Sequence, residues 1–172
     1  PFAEEVSVAN AAGVTTVCVP PGSANVVGGQ TVVFKTTGVC IDEMMLNPYV
    51  AMKAVLGENP KRVYESSKIK TRMRTAKEYM AKKENSKEPV PYNMQYEAMS
   101  AVINKEVDLK IHAHRADDIA TAIRIAKEFD IKLTLDHCTE GHLIPQIVKD
   151  SNLPALVGPS FTSKTKFELS SK

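Results

Sequence analysis

No apolar run in this 172-residue sequence approaches the roughly 18 residues of a membrane span, and residues 1–20 have no charged start leading into an apolar signal core. Those two absences predict a soluble, cytoplasmic protein with no membrane partner. Basic residues do not cluster either. The 22 lysines and arginines are mixed with 20 acidic residues for a net charge of +2, without the stripe that contact with a phosphate backbone requires, so nucleic acid is not an expected partner. Cysteine is sparse: Cys18, Cys40 and Cys138 are odd in number and far apart, with no pair at metal-knuckle spacing. They read as reduced thiols serving as small buried residues rather than as a disulfide framework. The glycines of "PPGSANVVGGQ" match neither common phosphate-loop pattern. What remains, 43% hydrophobic and 24% charged residues, suffices for one well-buried core and predicts one globular unit.

Short β-branched runs alternate with longer helical periods, the rhythm of an α/β protein. "EEVSVANAAG" reads as a helix closed by Gly13. "VTTVCV" is a strand stopped by Pro20 and Pro21, "TVVFK" the next strand, and "PPGSANVVGGQ" a loop between them. "YVAMKAVLG" fits a short helix or a strand. From Lys61 to Val107 the chain is polar and helical, interrupted by Pro89 and Pro91, and its methionines and aromatics recur at helical spacing as core residues do. The most regular stretch follows. "DLKIHAH" is a strand; "DDIATAIRIAKEFD" is a helix with Ile119, Ala122, Ile123 and Ala126 on one face; "IKLTLDH" is a strand, "HLIPQIVKDSN" a helix and "ALVG" a strand. Consecutive βαβ units of this kind give parallel neighbouring strands.

Four histidines are all the chain has, and this repeat concentrates three of them. His112 and His137 each close a strand and are one repeat apart, so they should stand side by side, with His114 on the same face as His112. Parallel strands lie about 4.8 Å apart, close enough for imidazoles at one level to converge on one ion at roughly 2.1 Å each. The carboxyl edge of a parallel α/β sheet is also where sites are built.

"GVTTVCVPPGSANVVGGQ", "GENPKRVY", "KIHAHRADDI" and "DHCTEG", in this order and spacing, resemble the amidohydrolase superfamily, in particular its imidazolonepropionase-related branch. The resemblance implies a (β/α)8 barrel beside a small β-sandwich, and metal-dependent hydrolysis of C–N bonds in cyclic amides or amino-acid derivatives by a metal-bound hydroxide. It implies a divalent ion, zinc in the first instance, and a small-molecule substrate. Carried over by position, the metal ligands fall on His112 and His137, with an earlier-strand ligand on Glu58 or, as a carboxylated lysine, on Lys53. His114 and Arg115 fall at the substrate end, Arg115 being suited to a substrate carboxylate unless Asp117 or Asp118 engages it. Lys35 is a further candidate that reads better as an exposed strand-end lysine, and His142 as a surface residue.

The sequence departs from the family pattern in lacking the H-x-H pair of the first barrel strand and the catalytic aspartate that ends the eighth. A barrel of this type usually needs about 250 residues. The expectation is therefore a single partial barrel over residues 1–172, without the first and last strands and the β-sandwich, inactive alone and prone to homo-oligomerise or otherwise self-associate through its open edges. The competing expectation is a complete, non-catalytic, flavodoxin-like α/β domain, with a phosphate near Gly28 and Gly29; a third is a pure assembly scaffold.

Overall fold

The computed structural model describes residues 3–57 and 65–158. Within them α1 (Glu4–Ala11) leads into β1 (Thr16–Val19), β2 (Val27–Lys35), the single turn α2 (Ile41–Met44) and β3 (Met45–Val55). Then come α3 (Glu65–Asn85), α4 (Met94–Ile103), β4 (Asp108–Ala113), α5 (Ala116–Phe129), β5 (Leu133–His137), a 3-10 turn (Thr139–Leu143), α6 (Pro145–Ser151) and β6 (Ala155–Val157). None of these helices is long and apolar enough to cross a membrane.

The six strands form one mixed sheet in sequential order, β1-β2-β3-β4-β5-β6. The first three make an antiparallel meander and the last four are parallel neighbours. The expected βα repeat therefore holds only from β3 onward. "YVAMKAVLG" resolves to a strand, and the 11-residue β3 starts earlier than its apolar run, tolerating Pro48 because β4 pairs only with Ala51–Val55. "VGGQ", read as loop, opens β2 instead, and its register shifts between Val27 and Gly29. The order has no reversal, so the sheet lacks the switch point of a doubly wound, flavodoxin-like fold.

Side-chain alternation splits the parallel strands into two unlike faces. Met52 and Ala54 of β3, Leu109, Ile111 and Ala113 of β4, and Leu133 and Leu135 of β5 pack in one core with Ile69, Met73 and Ala76 of α3, Met99 and Val102 of α4, and six residues of α5. Full burial of each Leu, Ile, Val or Met side chain among them contributes about 1.5–3 kcal/mol. Ile119, Ala122, Ile123 and Ala126 all face this core, as their spacing predicts. Of the methionines read as core, Met94 is exposed. The helix ends follow local chemistry: the Asn93 side chain accepts from the Gln95 and Tyr96 amides at the start of α4, and Asp117 and Asp118 occupy the dipole-favoured first turn of α5. The Tyr49 hydroxyl donates to the Ala98 carbonyl at 2.7 Å, tying β3 to α4; burial, and then the charge of Glu106, pushes this phenol up to about 12.

The opposite face carries Lys53, Lys110, His112, Thr134 and Asp136. It is concave. One cavity of about 470 Å³ is lined at once by Cys18 of β1, Lys53, Lys110, Asp136, and Leu156 and Val157 of β6, so the sheet curls until its first and last strands border the same space. The fold is a mixed α/β half-barrel. Cys18 and Cys40 are exposed, contrary to the expectation of three buried thiols; only Cys138 is buried, and burial pushes its thiol above the ordinary range.

Candidate metal centre

His112 projects from the concave face of β4, and His114, one residue past the strand's end, keeps to the same side at a spacing of two. His137 does not. In register β4 and β5 pair His112 with Asp136 and Ala113 with His137, one residue out of step with the side-by-side placement that the repeat spacing predicts. By alternation the ring of His137 would join Leu133 and Leu135 on the helix-packed side. Instead the backbone turns left-handed at His137 (φ 72°) and Cys138 (φ 41°), and the ring swings over the concave face. Such a conformation costs an L-residue roughly 1–2 kcal/mol. A fold retains that kind of strain where the surrounding structure over-determines it, commonly at sites.

The result is a compact triangle of imidazoles. Ring centroids lie 4.6 Å apart for His112 and His114, 4.5 Å for His112 and His137, and 4.6 Å for His114 and His137. One ring nitrogen from each lies within 4.8 Å of those of the other two. Three ligands on one ion at about 2.1 Å would sit roughly 3.4 Å apart, so small ring rotations close the set. His112 and His114 are buried and His137 is partly so.

Each ring is oriented through its Nδ1. His137 Nδ1 donates to the Gly158 carbonyl at 2.7 Å; a carbonyl only accepts, so Nδ1 carries a proton and Nε2 is the nitrogen left to act as a ligand. Gly158 returns a backbone N–H to the His137 carbonyl at 3.2 Å. His114 Nδ1 meets Thr139 Oγ1 at 2.8 Å, and His112 Nδ1 lies 3.4 Å from Ser23 Oγ in the loop between β1 and β2. The "DHCTEG" segment thus works as a clamp: the Glu140 amide donates to the His114 carbonyl at 2.8 Å, and its carboxylate accepts from the Ala116 amide at the start of α5. This outer layer of hydrogen bonds is the usual support of metal-binding histidines.

The remaining candidates fall into separate places. Glu58 lies outside the described residues. Lys53 is an ammonium partner of Asp136, its Nζ 2.7 Å from Oδ2, and Lys110 forms a second ion pair with the other carboxylate oxygen. Arg115 stands at the start of α5 with its guanidinium on Asp117, at 3.0 Å from Nε, and that carboxylate raises its pKa further. Lys35 is exposed and donates to Thr16 Oγ1. His142 is exposed, with Nδ1 3.0 Å from the Thr139 carbonyl, outside the triangle. Thr139, Ser23, Lys110 and Asp136 were not singled out by the sequence reading. For Lys110 and Asp136 a usable signal existed: a charged residue inside an apolar strand, two before His112 in one case and directly before His137 in the other.

The half-barrel brings together at its strand ends three histidines that could hold a metal ion on the concave side of the sheet. Known proteins resemble it. A crystal structure of an amidohydrolase from Thermotoga maritima MSB8 superimposes with a TM-score of 0.86 at 38% identity, over 92% of this chain and 45% of that one. The amidohydrolase TasK of Hapsidospora irregularis is 23% identical over 184 residues, which cover 86% of this chain and 19% of that protein. No protein-family profile matches the sequence. The chain is similar to these amidohydrolases and spans less than half the length of either.

Proposed function

We propose that this chain is the metal-holding middle of a (β/α)8 amidohydrolase of the imidazolonepropionase-related branch, which hydrolyses C–N bonds in cyclic amides or amino-acid derivatives. The observation that carries the proposal is the convergence of His112, His114 and His137, achieved at the expense of a left-handed turn at His137. Three neutral imidazoles with oriented Nδ1 groups suit zinc, which takes nitrogen ligands in tetrahedral sites and keeps one position open when catalytic. His112 and His137 are the ligands that the family pattern assigns. His114, assigned by that pattern to the substrate end, is placed as well as either to be the third ligand. When bound, a divalent ion supplies Lewis acidity toward a carbonyl and a water of lowered pKa.

The chain's own residues divide the remaining work. The Gly158 carbonyl and Thr139 hold the rings of His137 and His114, and the Pro20–Ser23 loop closes over the cavity from the far side. Asp136, which pairs with His112 in register, is engaged by two lysines and is not set up to shuttle protons. Partner copies or a complementary segment would pair with β1 and β6, whose exposed edges make self-association the expected state at high concentration.

Calorimetric titration of the metal-free chain with zinc tests the reading. One equivalent should bind, and the His112→Ala and His137→Ala variants should each lose more affinity than the roughly 10–100-fold that follows loss of an outer-layer partner. A native chain that takes up no zinc, or variants that bind it as the native chain does, would overturn the proposal.

A further inference from the structure

Beside the imidazole triangle the cavity holds a second, differently charged group. Lys53 of β3 and Lys110 of β4 are paired in register on the concave face, and both ammonium groups reach the carboxylate of Asp136 on β5. All three residues line the cavity of about 470 Å³. Lys53 is 3% exposed and the Asp136 side chain 8%, so the group is largely withdrawn from water. One carboxylate neutralises one ammonium, and the group keeps an excess positive charge. Burying such an ion typically costs several kcal/mol. A structural pair would need one lysine, and the second adds cost without adding neutrality. Each ammonium has three N–H donors, and among the described residues Asp136 is the acceptor each meets.

We infer that Lys53 and Lys110 are an anion-recognition element of this cavity and that the ligand presents them with a carboxylate. Asp136 holds the two ammonium groups side by side, and both lysines line the cavity. Lys110 and His112 are two residues apart on β4, about 6.8 Å along the strand. The ligand's carboxylate is therefore a few bonds from the group that faces the histidines. This deepens the amidohydrolase reading, and rests on it, by assigning the residues that recognise the substrate's carboxylate and so set its specificity. No ion in the triangle opposes that preference, since three neutral imidazoles leave its positive charge in place. Arg115, held by Asp117, is not needed for it.

The test separates the lysines from the metal by using the full chain without metal, in chelator. N-acetylglycine and N-acetylglycinamide, which differ in charge and little in shape, are titrated at neutral pH and low salt. The carboxylate should bind about tenfold or more tighter, the range that charge-assisted hydrogen bonds support. Lys110→Gln and Lys53→Gln, each of which leaves Asp136 one ammonium, should abolish that preference while Lys110→Arg retains it, with circular dichroism reporting the fold. In the native chain, side-chain ammonium resonances of these two lysines should shift on titration with N-acetylglycine, a readout that needs no variant. Equal binding of the two probes, unmoved lysine resonances, or a folded Lys110→Gln chain that keeps the preference would overturn the inference. A preference that arises only after zinc is added would also overturn it, leaving the metal reading intact. Carboxylate preference in a chain that fails to bind zinc would uphold the lysines and sink the metal centre.

Discussion

Two faces of one sheet do different jobs here, and strand β4 shows the division residue by residue. Leu109, Ile111 and Ala113 point into the helix-packed core and are fully buried, while Lys110 and His112, interleaved with them, lie on the concave face, Lys110 lining the cavity and His112 meeting Ser23. The first set is interchangeable in kind: any aliphatic group of the right volume satisfies that face. The second set is specific in chemistry, and its members meet partners on other strands and loops, Asp136, Ser23 and His137 among them. Five residues thus carry both the packing that makes the half-barrel and the groups that give it a use. The lesson is that fold and site can be perturbed separately even by changes at adjacent positions.

That separation can be broken most forcefully at Ile111 and His112. Ile111→Ala removes a fully buried side chain and should cost about 2–5 kcal/mol of stability in denaturant unfolding, with zinc stoichiometry unchanged in the fraction that remains folded. His112→Ala should do the reverse, losing zinc while keeping most of the unfolding free energy of the metal-free chain. If Ile111→Ala removes the metal and His112→Ala collapses the fold, the two faces are one cooperative unit and the division fails.

A smaller effect should sharpen the comparison from the cavity side. Thr139→Val keeps the shape of the side chain and deletes the hydroxyl that meets His114 Nδ1 at 2.8 Å. Zinc affinity should fall about 10–100-fold, equivalent to roughly 1.4–2.7 kcal/mol, with thermal stability of the metal-free chain nearly unmoved. Unchanged affinity would remove His114 from the ligand set and return it to the substrate end of the pocket, where the family pattern puts it.

The helix-packed face could be read from the sequence because its signals are periodic. The β4-α5-β5 run shows period 2, then 3.6, then 2, and the structure follows it within a residue or two. The antiparallel start could not be read so, since "TVCV" and "VGGQTVVFK" carry no mark of direction, and β3 crosses a proline that a period-2 reading treats as a break. At the site, the nearness of His112 and His137 followed from repeat length alone. The reason their rings meet did not, because it depends on a left-handed backbone at His137 that no neighbouring glycine announces. The ion cluster was half visible: the family pattern makes Lys53 a candidate ligand, but its partner Asp136 lies 83 residues away, and only the parallel register brings them together.

The smallest effect lies on the outer surface of the helix layer, remote from the cavity, and it serves as a control on pH. Lys83 and the Tyr79 hydroxyl both donate to Glu97 Oε1, and these hydrogen bonds, that of Lys83 first, hold the Glu97 carboxyl below its ordinary range. A carboxylate whose folded pKa is depressed binds fewer protons folded than unfolded near that pKa. Its contribution is therefore fully present above the unfolded value, about 4.3 for glutamate, and is lost as pH falls through the lower folded value. Glu97 is partly exposed, so solvent screening keeps the effect slight. Glu97→Gln should lower the melting temperature a little at neutral pH and flatten its decline between about pH 5 and pH 3, while zinc stoichiometry measured at neutral pH stays that of the native chain. A variant whose acid profile matches the native one would show that Glu97 gives no net stabilisation. A variant that also lost zinc would couple the helix layer to the cavity, against the division of labour that β4 displays.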